Sequence, residues 1–506
     1  MTRQTDGRVG VVMFVMNDLL NDPRVQREAR SAAQAGFRVR VVAVQSERCR
    51  VEQEIVDGYE VVRVRVPRRR VTYAAFGLFW WLLSFRWVLA KMALVLQEGA
   101  KLGLGLPSGL EAPGQAVGPA SRLRRLKWGL MRGVGVLFFP LRVFRPWLGR
   151  VACFLKNGDA PGCAPAGLSE RVRQRAHDLA FYEGVLWTTV AMLRAARDAC
   201  AEVFHGNDLP TLPVTSWAAR LAGGKALYDS HELWVGQSSD TTPFFNKVAR
   251  WIESRYIYRM DAVVTVNHLI AEELCRQYKI ALPAVVMNCP ELRAPGPVQA
   301  CQSIRSQLGL SMDTPLILYQ GLYMPGRGLE ALIESSRYLL EGVVVLRGYG
   351  SFEPELRRRV AMLPGTGRVF MVDPVPMADL VDSASEADVG VVAYAPCTPC
   401  NYYASPNKLF EYMLAGLAIA VSNLPVLEKI VRDHDLGVVF DPSDPRHIGD
   451  QLNALVGNPA RLSACRENAR RVAHDRYNWD HEGGKLMMLY RTLAEEVVSL
   501  GGSLDQ

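Results

Sequence analysis

This 506-residue sequence lacks an apolar run long enough to cross a bilayer comfortably. Thr72–Phe85 (TYAAFGLFWWLLSF) is apolar and aromatic over fourteen residues, but Arg86 and Lys91 interrupt its continuation towards Leu96. A spanning helix needs about 20 such residues. The first residues, MTRQTDGRVGVVMFV, lack a long apolar core followed by a small-residue cleavage site, so they read as a first strand rather than a signal peptide. The ten cysteines are scattered and make no spaced disulfide framework, which favours a reducing compartment. Acids are scarce in one window. Between Val61 and Gly158 only Glu98 and Glu111 occur, against a series of bases that includes Arg68, Arg69, Arg70, Arg122, Arg124, Arg125 and Lys127. With a net charge of +8 overall, that window needs an anionic partner or stays solvated.

What is present is an alternation of strand and helix signals on either side of this odd segment. Arg8–Val15 is a near-continuous apolar run, as a buried parallel strand requires. Asp22 can cap a helix, and Pro23 fits its first position. The helix should reach Gln34 and stop at Gly36. Further strands are expected at Val39–Val44, Tyr59–Val66, Val203–His205, Ala226–Asp229, Asp261–Val266 and Ala284–Met287. The proline-bearing stretch Asn288–Gln299 reads as a linker. Beyond it, strands are expected at Pro315–Gln320, Val343–Arg347, Arg368–Val372, Val389–Ala393, Ala418–Ser422 and Gly437–Phe440, with helices in the gaps. Such alternation gives an α/β chain of two doubly wound parallel sheets, with ligands at the carboxyl ends of the strands.

Three short segments carry chemistry. In Ser405-Pro406-Asn407-Lys408-Leu409-Phe410-Glu411, Ser405 is a candidate N-cap and Pro406 a candidate first helical residue, with Gly416 as the stop. Free N–H groups of that first turn, Asn407 included, make an anion site. Lys408 sits at the wrong end of the helix dipole unless a phosphate meets it. Glu411, one turn on, can accept from a ribose diol; the plain alternative is a surface Lys–Glu pair. In the loop Gly321–Glu330, glycines allow close backbone approach and Arg327 can pair with diphosphate oxygens; the alternative is a solvated βα loop. Gly348 and Gly350 again follow a strand. In the first half, His205 and Asn207 end a strand, while Asn207 or Asp208 could equally cap the helix after Leu209. His231 and Glu232 favour a structural role, and Cys397 and Cys400, without a second pair, read as free loop thiols rather than zinc ligands.

Together these segments resemble the retaining family 4 glycosyltransferases, of the bacterial surface-polysaccharide type. That family's second domain has a strand-ending Gly, a basic residue six positions later, a Gly-x-Gly loop and a Glu-bearing helix ending in Ala-Gly. Those places fall on Gly321, Arg327, Gly348 with Gly350, and Glu411 with Ala415-Gly416. "NDPRVQREARSAAQAGFRVRVVA", "HGNDLPTL" and "YDSHELW" resemble its first domain. The sequence departs from the pattern where Tyr403 replaces the first of two paired Glu, Leu322 replaces an Arg, and Arg327 replaces a Lys.

The resemblance implies the GT-B fold. A first domain would span 1–288, with an insert at about 70–165, a donor domain 300–478, and a C-terminal helix 479–506 packing back on the first domain. It implies a nucleoside diphosphate sugar as donor substrate, retention, no cofactor and no metal. Arg327 and Lys408, with His205 and Asn207 opposite, are the expected catalytic set. Gly321, Gly348, Gly350, Ser405, Asn407 and Glu411 are expected to hold the nucleotide, with backbone at Asp373–Pro376 against the base. The insert, with Trp128, Phe138, Phe139, Phe144 and Trp147 among its bases, has the composition of a segment lying on an anionic membrane rather than on nucleic acid; the plain alternative is a helical hairpin packed on the first domain. That points to a glycan or lipid-linked acceptor and a cytoplasmic, peripheral location. Two rivals are a sugar-nucleotide epimerase of the same fold and a non-catalytic membrane-associated sugar-nucleotide-binding protein.

Overall fold

The computed structural model describes residues 7–66, 170–235, 242–292, 303–364 and 368–502. The chain divides into two compact units, residues 67–180 and the remainder, and both sheets belong to the remainder. The proposed membrane segment lies outside the described residues.

Eight strands form the first sheet: β1 (Gly10–Phe14), β2 (Arg38–Val44), β3 (Gln53–Val56), β4 (Tyr59–Val64), β5 (Val203–Asn207), β6 (Lys225–Ser230), β7 (Ala262–Thr265) and β8 (Ala284–Val285). Their order is β3-β4-β2-β1-β5-β6-β7-β8, and every pairing is parallel except β3 with β4. The second sheet holds β9 (Leu316–Leu322), β10 (Val343–Tyr349), β11 (Val369–Val372), β12 (Val389–Val392), β13 (Ala418–Ser422) and β14 (Gly437–Phe440), in the order β11-β10-β9-β12-β13-β14, all parallel. In both sheets the chain winds outward in one direction and then returns to wind in the other. The switch points lie between β1 and β5 and between β9 and β12, where open α/β sheets bind ligands.

The strands form where they do because their apolar runs are buried on both faces: β1 and β5 are buried throughout. The Pro23–Gln34 helix starts as its sequence dictates, Asp22 accepting from the Val25 N–H at 3.2 Å. The Trp479–Gly502 helix contributes Trp479, Leu486, Tyr490 and Leu493 to the core of the first sheet, beside Val11, Val41 and Phe37. Its first residue is tied at both ends: the Trp479 N–H donates to the Pro290 carbonyl and its indole to Ser31, each at 2.8 Å.

One strand was not foreseen. β3 is an antiparallel edge strand whose sequence, Gln-Glu-Ile-Val, leaves Ile55 in solvent. It turns into β4 through Asp57-Gly58, both at positive φ (47° and 86°), the conformation of a tight hairpin turn.

Candidate functional site

At the switch point of the second sheet, the loops after β9 and β12 bring two cations onto two aromatic rings. Lys408 Nζ lies 3.7 Å from the centroid of Tyr319 and 5.6 Å from that of Tyr394. The guanidinium of Arg327 lies 4.1 Å from the Tyr394 centroid. Tyr319 is in β9 and Tyr394 closely follows β12, so the strands themselves set the cation positions. Lys408 is buried, and burial followed by the Arg327 charge pushes its pKa well below the ordinary lysine value, with Glu411 opposing. An ammonium so held has ring faces but no carboxylate at contact distance among the described residues, which suits it to an anionic ligand.

Gly321 makes room for this cation: a Cβ there would stand 3.0 Å from Lys408 Nζ. Gly348 and Gly350 are needed by neighbouring backbone. A Cβ at Gly348 would lie 1.9 Å from the Gly321 carbonyl oxygen, and one at Gly350 2.2 Å from that of Tyr323. They let the ends of β9 and β10 and the residues just beyond pack against each other.

The helix expected to start at Pro406 begins one residue later, at Asn407, and its cap position is Pro406. Ser405 is not the cap, because its hydroxyl is engaged elsewhere. It accepts from Asn267 Nδ2 at 3.2 Å, and the same amide donates to the Tyr403 carbonyl at 2.9 Å. Asn267 caps the His268–Tyr278 helix through Oδ1, so one side chain both starts that helix and ties the first half of the chain to the second. Asn407 stands at the first helical position, partly buried. Tyr403, in the place of the family's first Glu, is held by its carbonyl and stacks edge-on with Tyr402. Leu322 is exposed. The Asp373–Pro376 segment is a surface loop after β11.

Glu411 is fixed by a buried chain of hydrogen bonds that sequence reasoning did not find. Gln320 Nε2 donates to Glu411 Oε2 at 3.2 Å, while Gln320 Oε1 accepts from Arg347 Nη2 at 2.5 Å. Arg347 Nη1 donates to the Ser383 carbonyl at 3.3 Å, and the Gln320 N–H donates to Tyr412 Oη at 2.7 Å. Burial raises the Glu411 pKa above the ordinary carboxylate value, with the Gln320 hydrogen bond and Lys408 opposing.

The first-half residues are drawn into a buried ionic cluster. Arg24 donates from Nε and Nη2 to Asp229 Oδ2 at 3.0 and 2.7 Å, pairs with Glu28 at 2.9 Å, and donates to the Val286 carbonyl at 3.0 Å. Burial works against the Asp229 charge, but Arg24 outweighs it and holds the carboxyl well below its usual range; burial pushes Glu28 well above. His205 is fully buried, with Nδ1 2.6 Å from Tyr490 Oη and Nε2 3.8 Å from Asp229. That places its ring under the C-terminal helix instead of at an open strand end, and burial pushes its pKa down to about 3. His231 lies 3.5 Å from both Asp208 and Asp229, whose charges overcome burial and raise its pKa well above the usual value. Asn207 is buried, donates to the Phe14 carbonyl at 3.3 Å, and leaves Oδ1 without a partner. Neither Asn207 nor Asp208 caps the following turn with its side chain. Among the described residues, one group has metal-ligand types within 4.8 Å, Glu28, His205 and Asp229, and Arg24 already pairs with both of its acids.

Cys400 donates to Glu232 Oε2 at 3.1 Å, a second tie between the halves, and Cys397 accepts from Asn401 at 3.2 Å. Both thiols are free. Spacing alone could not reveal Arg24–Asp229 or Gln320–Arg347, whose partners are 205 and 27 residues apart. Tyr394, just after β12, and a helix-capping Asn267 were visible signals.

Comparison with known proteins bears on the family and the fold. The model of the glycosyl transferases group 1 family matches residues 302–472, and that of the glycosyl transferase 4-like domain matches residues 149–289. A D-inositol 3-phosphate glycosyltransferase from Xylanimonas cellulosilytica is 28% identical over 250 residues, covering 47% of this chain and 58% of that protein. The chain thus spans little more than half the length of that relative. A phosphatidyl-myo-inositol mannosyltransferase from Mycobacterium leprae is 23% identical over 314 residues, 59% of this chain and 75% of that one. Among solved structures, sucrose-phosphate synthase from Thermosynechococcus elongatus superposes with a TM-score of 0.63 at 16% identity, covering 96% of this chain and 99% of that one. Anabaena HepE in complex with UDP and glucose does so with 0.55 at 12% identity, covering 98% and 100%. Two Rossmann-like parallel sheets, family matches in both halves and a basic site at the second switch point identify the chain as a member of the family 4 glycosyltransferases of the GT-B fold.

Proposed function

We propose that this protein transfers a glycosyl group from a nucleoside diphosphate sugar to a glycan or lipid-linked acceptor, with retention at the anomeric carbon. The observation that carries the reading is the pairing of Lys408 and Arg327 on the rings of Tyr319 and Tyr394, with Glu411 one helical turn from Lys408. As the bond to the departing diphosphate breaks, negative charge grows on its oxygens. Two fixed cations in a dry site stabilise that charge more than they stabilise the ground state. Glu411, oriented by Gln320, then accepts from the ribose diol. The chain's own cations, and no resident metal or cofactor, neutralise the leaving group. Support for such a donor comes from HepE, solved with UDP and glucose. Support for a lipid-linked acceptor comes from the phosphatidyl-myo-inositol mannosyltransferase relative and from the aromatic, basic insert.

Among the described residues no helix is long and apolar enough to cross a membrane. The location that fits this function is the cytoplasmic membrane face, with the insert on the lipid. The experiment is to supply a panel of sugar nucleotides with lipid-linked and free glycan acceptors, chelator present, and to read the product by NMR. An axial or equatorial linkage matching that of the donor supports the reading. Inversion contradicts the retaining assignment, product from an epimerised sugar nucleotide supports the epimerase rival, and binding without product supports the non-catalytic one.

A further inference from the structure

The charged groups at the second switch point stand in a row, and the row continues into the first half of the chain. Glu411 is held by Gln320, and Lys408 Nζ lies against the next residue, Gly321. Lys408 and Arg327 share the ring of Tyr394, at 5.6 and 4.1 Å from its centroid. Arg327 follows Gly326, whose carbonyl accepts from the Ala395 N–H at 3.0 Å and from Asn401 Nδ2 at 3.1 Å. Cys400, the neighbour of Asn401 in the short helix Pro399–Tyr402, donates to Glu232 Oε2 at 3.1 Å. The charges run in the same order. Lys408 feels Arg327 and Glu411. Burial and then Asp208 raise the Glu232 pKa, with the Cys400 hydrogen bond, His231 and Arg327 opposing. The sequence is carboxylate, cation, cation, carboxylate.

The end of β6 aims Glu232. Ser230, the last residue of that strand, donates from Oγ to the Glu232 carbonyl at 2.9 Å, and Thr265 Oγ1 of β7 donates to the Ser230 carbonyl at 2.8 Å. Glu232 thus lies beyond the carboxyl end of the strand, where open α/β sheets take ligands. Asp208, just after β5, has φ 65° and ψ 161°, a conformation costly for any residue but glycine. Its N–H donates to the Asp229 carbonyl at 3.0 Å and its carbonyl accepts from Thr211 Oγ1 at 2.8 Å, so the strain is held in place. Strain of this kind belongs to sites that must present a side chain in one position.

A sugar nucleotide has a matching order: ribose diol, two phosphates, then the hydroxyls of the transferred sugar. With Glu411 on the ribose and the two cations on the diphosphate, the next group along the row is Glu232. We propose that Glu232 sets specificity for the donor's sugar, its carboxylate accepting from hydroxyls of the transferred ring; this rests on the donor-site reading above. A thiol is a weak donor, so a sugar hydroxyl displaces Cys400 from Oε2 at little cost. A site built to pair with a hydroxyl rejects sugars that place it elsewhere, because the carboxylate then stays desolvated and unpaired.

The test is titration calorimetry of the full chain, without acceptor, using UDP, GDP, ADP and TDP, each alone and as its glucose conjugate, with UDP-N-acetylglucosamine and GDP-mannose added. The readout is the Kd of a conjugate divided by the Kd of its own diphosphate. For the conjugate that binds the parent best, Glu232→Gln and Glu232→Ala should raise that ratio about ten- to a hundredfold while the bare diphosphate stays within about twofold. Cys400→Ala, which breaks only the tie between the halves, should leave the ratio unchanged, and thermal melts check that each variant is folded. The proposal fails if Glu232→Gln weakens diphosphate and conjugate alike, or if Cys400→Ala reproduces its effect. It also fails if the ratio holds and a transfer assay shows a change in the acceptor KM alone, which would put Glu232 on the acceptor. Binding of no diphosphate by the folded parent overturns the donor-site reading itself, so the two failures are told apart.

Discussion

Arg347 Nη2 donates to Gln320 Oε1 at 2.5 Å, and this fixes which end of the Gln320 amide faces Glu411. A positive group holds the carbonyl end, so the amide nitrogen must point at the carboxylate. Glu411 thereby has its Oε2 engaged by Gln320.

Gln320→Leu should therefore raise the apparent KM for the donor about tenfold and change kcat little, because a ribose contact remote from the breaking bond is mostly uniform binding. Glu411→Gln should act likewise. Since Gln320 works through Glu411, the double variant should be no worse than Glu411→Gln alone. Steady-state kinetics of the three proteins check this; additive losses, or a collapse of kcat at unchanged KM, would point to a catalytic carboxylate.

Arg327→Ala and Lys408→Ala should each lower kcat/KM by about two to three orders of magnitude, the usual effect of deleting one preorganised contact to developing charge. Thermal melts should stay close to the parent, since neither side chain closes a described ion pair. Near-normal turnover in both would remove the donor site from this end of the sheet.

Lys408 also makes a prediction about protons. Burial and Arg327 hold its pKa well below the ordinary lysine value. A diphosphate bound beside it reverses that shift, so ligand binding takes up a proton wherever the pH lies between the free and bound values. Calorimetry in buffers of different ionisation enthalpy should find uptake rising as the pH rises through the free value, to at most about one proton. Lys408→Arg should abolish it. The same depression makes the fold less stable as pH falls from the unfolded lysine value towards the folded one, because the unfolded chain then binds the extra proton.

Arg24→Leu should cost about 3–5 kcal/mol of stability, since it strands the buried Asp229 charge. Urea unfolding measures it. A loss under about 1 kcal/mol would mean that His231, 3.5 Å from the same carboxylate, compensates alone.

Much of the fold was legible because local signals agreed with tertiary need. Asp22-Pro23 and Gly416 end their helices where a cap and a left-handed stop belong, and the β9, β12 and β13 apolar runs are buried on both faces. Arg327, Lys408 and Glu411 were legible as types at a strand end and a helix start. β3 was missed because an exposed edge strand needs no apolar pattern, although Asp57-Gly58 marked its turn. Ser405 was misplaced as a cap because its competitor, Asn267, comes from the other half of the chain. His205 was placed at an open strand end because the covering residue, Tyr490, lies 285 positions away.

The central claim is that Lys408 and Arg327 await the diphosphate of a sugar nucleotide. Titration calorimetry with UDP, GDP, ADP and TDP tests it most directly. One of these should bind with near-unit stoichiometry to the parent, and both Arg327→Ala and Lys408→Ala should weaken that binding at least about tenfold while remaining folded. Binding of no nucleoside diphosphate by the folded parent, or equal binding by both variants, would contradict the account.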